Sequence, residues 1–257
     1  MSLRRFVAET PEREHRLALV NWDAPAPLRR LLESAVPSVP IEELDAGQPE
    51  EASNVVYLLR GDEVVARSPL AALEEAILLV NSDTYRTGSG GLDDLAVPAV
   101  LEALADTRFT LRGYPESHKE KLVLIAISSQ IEARSLARDA GRHRASFQWL
   151  SRLHDEQGTR TVYRRLAESG VAAHVYGQPD WVLPHDLDAT MHAGWGEDFR
   201  DVWFVVSAPG DDASAGERRD GAAALVAVET EPRHWDGFWT YDPERVARIE
   251  REIERTM

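Results

Sequence analysis

Few residues in this chain have types and spacing suited to chemistry. Two His-Asp dipeptides, His154-Asp155 and His185-Asp186, have the pairing that metal phosphohydrolases use. Such a centre needs further His and Asp ligands on a helical bundle, and none falls at a fitting place. His185 and His192 are near enough to meet across a turn. Two imidazoles without a carboxylate to orient them make a thin metal site, so they read as exposed loop histidines. Gly88-Ser-Gly90-Gly91 has the composition of a phosphate loop. It lacks the strand before it and the Gly-Lys-Ser/Thr after it, and reads as a flexible connection. Neither a Gly-x-Ser-x-Gly elbow nor a His-Glu-x-x-His pair occurs. Cysteine is absent, which removes disulfides, thiolate catalysis and Cys-ligated metals together. No cofactor or metal is expected, and the reading is non-catalytic.

Aromatic residues offer recognition instead. Trp235, Phe238, Trp239 and Tyr241 fall close together, with Trp181, Trp195 and Trp203 upstream. Large rigid rings line pockets and protein interfaces. The same rings also plug cores, and period-2 alternation puts Trp235 and Trp239 on one face. Both readings stay open. His174, between Ala173 and Val175, reads as a strand histidine with a partner, or as a sensor of pH or ligand.

The elements that must position these residues are mixed. Arg16 to Asn21 alternates like a strand. Val55 to Leu59 and Glu63 to Arg67 flank Gly61-Asp62 as a hairpin. Ser68-Pro69 opens a helix with Leu70, Leu73, Ile77 and Val80 inward, and Pro98 opens another. Ser117-x-x-Glu120 is a capping box before a helix from about Lys119 to Arg138. Phe147, Leu150 and Leu153 suggest a second helical stripe, and Val162 to Glu168 a third helix. Val171 to Tyr176 is a strand. Val202 to Val206 and Ala222 to Val228 form an antiparallel pair around a polar loop. Asp242-Pro243 caps a last helix, where Glu244 can pair with Arg248. The fold class is α/β (α+β): a mixed or mainly antiparallel sheet with flanking helices, preceded by a smaller α/β unit. The boundary divides residues 1–112 from 113–257.

Charge narrows the setting. Acidic residues number 44 against 29 basic ones, a formal net charge of -15. Lysine occurs only at Lys119 and Lys121. An acidic, lysine-poor surface suits molar salt, which screens its self-repulsion. It opposes nucleic-acid binding, which needs a basic footprint, and docking on an anionic membrane. With no apolar run near ~18 residues and no apolar stretch after Arg4 and Arg5, a cytoplasmic protein is expected.

Several blocks resemble one family in order. Ser117 to Glu132 (Ser-His-Lys-Glu-Lys-Leu-Val-Leu-Ile-Ala-Ile-Ser-Ser-Gln-Ile-Glu) is similar to the opening helix of DICT domains. Ala145 to Ser151, Tyr163 to Ala167, His174 to Trp181, Val202 to Val206 and Trp235 to Pro243 follow in family order. Leu79 to Arg86 and Phe109 to Pro115 are similar to the extension carried by stand-alone haloarchaeal members. The family is a sensory domain of diguanylate cyclases and two-component systems. The resemblance implies signal sensing, light- or redox-linked, through a small ligand or a signalling partner in trans: a receptor, kinase or regulator. It supplies no catalytic or ligand residue. Drawn from these blocks and the aromatic cluster, the candidate contacts are Phe147, Gln148, His174, Tyr176, Trp235, Trp239 and Tyr241. The last helix is a candidate homodimer contact, although so short an apolar stripe more often packs on its own domain. The rivals are a hydrolase or nucleotide-handling enzyme and a structural or assembly protein.

Overall fold

A computed structural model describes residues 2–20, 39–44, 54–73, 97–112, 122–155, 157–182, 187–232 and 234–257. The glycine run, the Ser117 capping box and His185-Asp186 lie outside the described residues, as do the side chains of His154 and Asp155.

Two sheets result. The smaller has the order β2 (Ile41–Leu44), β1 (His15–Val20), β3 (Val55–Arg60), β4 (Glu63–Pro69). Leu17, Leu19, Val56 and Leu58 alternate inward and are buried. Gly61, at φ 60, takes the first central position of the β3–β4 turn, where a left-handed residue matches strand twist. The expected helix starts one residue late. β4 runs through Pro69, and the helical residues begin at Leu70. The short helix α2 (Ala99–Ala103) packs on β4, where Ser68 Oγ accepts from the Val100 amide at 3.1 Å.

The larger sheet positions the candidate site. Its order is β5 (Phe109–Arg112), β11 (His234–Thr240), β10 (Ala223–Glu231), β9 (Val202–Ala208), β6 (Gly141–Trp149), β7 (Val171–Gln178), β8 (Thr190–Ala193). β6–β7 and β7–β8 are parallel, and the other neighbours are antiparallel. The sheet is therefore mixed, with helices on both faces, in agreement with the expected α/β (α+β) class. On one face α3 (Leu122–Arg138) crosses β9, β10 and β6, and α5 (Gln157–Ala167) follows α4 (Arg152–Asp155) to cover β7. On the other lie α1 (Arg4–Glu9), α6 (Glu197–Asp201) and α8 (Pro243–Thr256). α7 (Ala215–Gly221) sits in the β9–β10 loop, capped by Ser214 and Glu217 in a reciprocal box.

Alternation divides the cores. Ala145, Val175, Val205, Leu225 and Trp239 face α3 and the smaller sheet. Tyr176, Phe204, Val226 and Phe238 face α1 and α8. α1 and β5 come from the first 112 residues yet join the larger layer, tying the amino-terminal segment to the sheet.

Two local expectations are corrected. Phe147 belongs to strand β6, not to a helical stripe, because the chain turns helical only after Leu150. Arg248 pairs with Glu9 of α1 at 3.6 Å rather than with Glu244, whose amide is capped by Asp242.

Candidate functional site

Strands β6, β7 and β8 lie side by side with alternate residues on one face. Arg142 and Arg144 of β6, His174 and Tyr176 of β7, and His192 of β8 therefore share a surface. Arg144 is opposite His174, and Tyr176 is opposite His192. Helix α8 closes this face with Glu250 and Glu254, one turn apart.

Arg144 is 4% exposed and forms the hub. It donates to the Tyr176 hydroxyl at 2.7 Å, to Glu250 at 3.1 Å and to Glu254. Arg142 holds the other side of Glu250, at 2.5 and 3.1 Å, and reaches Asp211 at 3.1 Å. A buried carboxylate is tolerable only when paired this way. Hydrogen bonding to Glu250 in turn raises the Arg142 pKa above its ordinary value.

Beside the hub lies an imidazole pair. His174 Nδ1 is 3.1 Å from His192 Nε2. The His192 ring stacks on Tyr176 with centroids 4.3 Å apart and planes 7° apart. Burial, then the Arg144 charge and His192, lower the His174 pKa to about 4. Burial and Arg144 lower that of His192 as well. Both rings are neutral at neutral pH, so one donates and the other accepts. Among the described residues, neither His174 Nε2 nor His192 Nδ1 has a protein hydrogen-bond partner. Both rings are half-buried, and those two atoms can take a hydrogen bond from outside. No group of three or more metal-ligating side chains exists among the described residues.

The opposite face of β6 carries a second polar chain. His143 bonds Ser135 Oγ through Nδ1 at 2.9 Å and the Tyr163 hydroxyl through Nε2 at 3.1 Å. Ser135 spends its own proton on Ile131 O, so Nδ1 carries the ring hydrogen and Nε2 accepts from Tyr163. The order of groups resembles a nucleophile and its base. Complete burial pushes the His143 pKa down to about 3 and that of Tyr163 well up. Solvent reaches none of the three, so the chain pins α3 and α5 to the sheet.

The sequence candidates separate. His174 and Tyr176 meet in the imidazole site. Phe147 turns to the other face, edge-on to Tyr163 at 5.2 Å. Gln148, the next-to-last residue of β6, has φ 60 and donates to Arg200 O at 2.7 Å while accepting from Arg152 at 2.8 Å. Trp235 and Trp239 are buried on β11, three strands away from β6, with Phe109 against Trp239 at 5.6 Å. Tyr241 follows β11 under the Arg134 guanidinium, 4.4 Å from its centroid. Burial raises the Tyr241 pKa to about 12. The seven candidates therefore do not form one surface. Arg144, Glu250 and His143 were missed by the sequence reading. The alternation Arg142-x-Arg144, which puts two guanidiniums on one face of a strand, is the signal that marks the hub.

No protein-family model, curated protein or solved structure matches the chain. The site is accordingly argued from its own geometry. No described helix is long and apolar enough to cross a membrane.

Proposed function

We propose that this protein is a non-catalytic sensor that binds a small ligand at the imidazole pair and relays the event through α8 to a signalling partner in trans. The observation that carries the reading is the position of Arg144. It touches Tyr176, which stacks on His192, and it also holds Glu250 and Glu254 of α8. A ligand that bonds His174 or His192 changes the tautomer or charge beside Arg144. Its effect then reaches a helix whose other side is exposed. The ordered resemblance to DICT domains supports a sensory role. The charge of -15 and the absence of cysteine support a salt-rich cytoplasm.

A metabolite library screened by thermal shift tests the proposal, since a ligand of the native state raises apparent stability by mass action. A hit should stabilise the wild type, lose its effect in His192→Ala, and change amide exchange in α8. A library that leaves both melting and α8 exchange unchanged counts against it.

A second reading draws on the same convergence of two neutral imidazoles, a phenol and a guanidinium, which is also catalytic material. Turnover abolished by His174→Gln, with the fold intact, would favour an enzyme over a sensor.

A further inference from the structure

Away from the imidazole pair, α1 and α8 enclose a cleft of about 260 Å³ lined by Arg5, Phe6, Glu9, Arg248, Arg251, Glu252 and Arg255. Its volume is just below the ~300–1,000 Å³ common for small-molecule sites. Three of the arginines, 248, 251 and 255, recur at helical spacing along one face of α8. Four guanidiniums against two carboxylates leave the cleft two charges positive, on a chain whose net charge is -15. Such an island concentrates anions by its local field.

The pairing inside the cleft is incomplete. Arg5 and Arg248 share Glu9, and Arg255 takes Glu252 at 2.6 Å. Arg251 donates to Ala247 O at 3.2 Å and pairs with no carboxylate among the described residues. Its remaining donors stay available to an anion. Phe6 supplies an apolar wall, with Arg248 5.4 Å from its ring centroid.

We infer that this cleft binds a small organic phosphate, its phosphate on Arg251 and Arg248 and its body against Phe6. A phosphate monoester carries about 1.5 to 2 negative charges at neutral pH, matching the surplus that the carboxylates leave. Guanidinium forks bond phosphate oxygens bidentately, whereas a carboxylate brings half the charge. The inference is independent of the imidazole pair, so either can fail alone.

Calorimetry with phenyl phosphate, inorganic phosphate and benzoate tests it, at the lowest salt that keeps the chain folded. Phenyl phosphate should bind most tightly. Inorganic phosphate lacks the body, and benzoate lacks the second charge. Arg251→Gln should weaken phenyl phosphate about tenfold or more, and Arg251→Lys by less, because charge without the fork remains. Arg219→Gln, on α7, should change nothing. Circular dichroism separates lost binding from lost folding, and the lysine variant carries the test if the glutamine variant does not fold. No heat with phenyl phosphate through ~1 mM overturns the inference. So does benzoate binding as tightly, or Arg251→Gln binding as the wild type does.

Discussion

The Arg144 guanidinium donates to the Tyr176 hydroxyl at 2.7 Å, across two adjacent strands, while its other nitrogens hold the carboxylates of α8. The bond makes the helix and the sheet one electrostatic unit. Replacing Arg144 by Leu leaves Glu250 with Arg142 alone and the buried Tyr176 hydroxyl without a donor. Breaking a buried pair from one side costs ~3–5 kcal/mol, and the surviving Arg142 contact sets the lower end as the expected loss. Arg144→Leu with Glu250→Leu together should recover much of it, because apolar groups replace buried ions well. Urea unfolding of the singles and the double checks this. A single-mutant loss under ~1 kcal/mol would mean that water reaches the hub.

The same arginine sets the imidazoles. Its charge is the second cause, after burial, that holds His174 near 4. Arg144→Leu should raise the His174 pKa toward its ordinary 6.5, read by titrating the imidazole nitrogens by NMR. Glu250→Gln should lower it further, since that carboxylate is the charge that opposes the shift. An unmoved His174 in both variants would show that burial acts alone.

How far the sequence revealed this depends on range. Alternation and caps are local, so β1, the β3–β4 hairpin, the β9–β10 pair and the Asp242-capped α8 are legible. β6 is not. His143, Arg142 and Arg144 break up its pattern, and their reasons lie more than a hundred residues away at Glu250 or on the covering helix α5 at Tyr163. Phe147 looked helical because Leu150 and Leu153 follow at helical spacing, although the strand ends at Trp149, before both. The aromatic run was legible as one surface, Trp235 with Trp239. Whether that surface faced solvent depended on α3 and the smaller sheet, which cover it.

Tyr163→Phe tests the buried chain. It removes the donor to His143 Nε2 and nothing else from the side chain, since Phe147 keeps its ring contact. A buried orphan acceptor costs ~1–3 kcal/mol. Ser135→Ala should cost a similar amount by orphaning the Nδ1 hydrogen. The two together should cost less than their sum, because members of one chain are coupled. Strict additivity in a double-mutant cycle would dissolve the chain into separate bonds.

Gly141 opens β6 at φ 91, and an added Cβ would stand 2.5 Å from Ala208 O in the next strand. Both faults are backbone faults, which no rotamer relieves. Gly141→Ala should therefore cost more than the ~1–2 kcal/mol of left-handed strain alone. Gly221→Ala is the contrast. Its Cβ would meet the far end of Arg138, a flexible side chain that swings aside, so the loss should be small. Melting temperatures of the two variants decide, and equal losses would contradict the contrast.

Acid should unfold the chain through its histidines. His143 titrates at about 3 and His174 at about 4 when folded, against 6.5 unfolded. Between these limits the unfolded chain binds more protons, so stability falls as pH falls. The loss begins as pH drops through 6.5, and ends near 4 for His174 and near 3 for His143. Fully buried His143 contributes on the order of a few kcal/mol, and half-exposed His174 less. Melting at fixed molar salt should thus hold steady above about pH 7 and decline below about pH 6. His143→Asn should melt lower than the wild type at neutral pH and yet show a shallower acid decline, because the proton that drives unfolding has no site to bind. A decline as steep as the wild type's would place the acid sensitivity in groups other than His143.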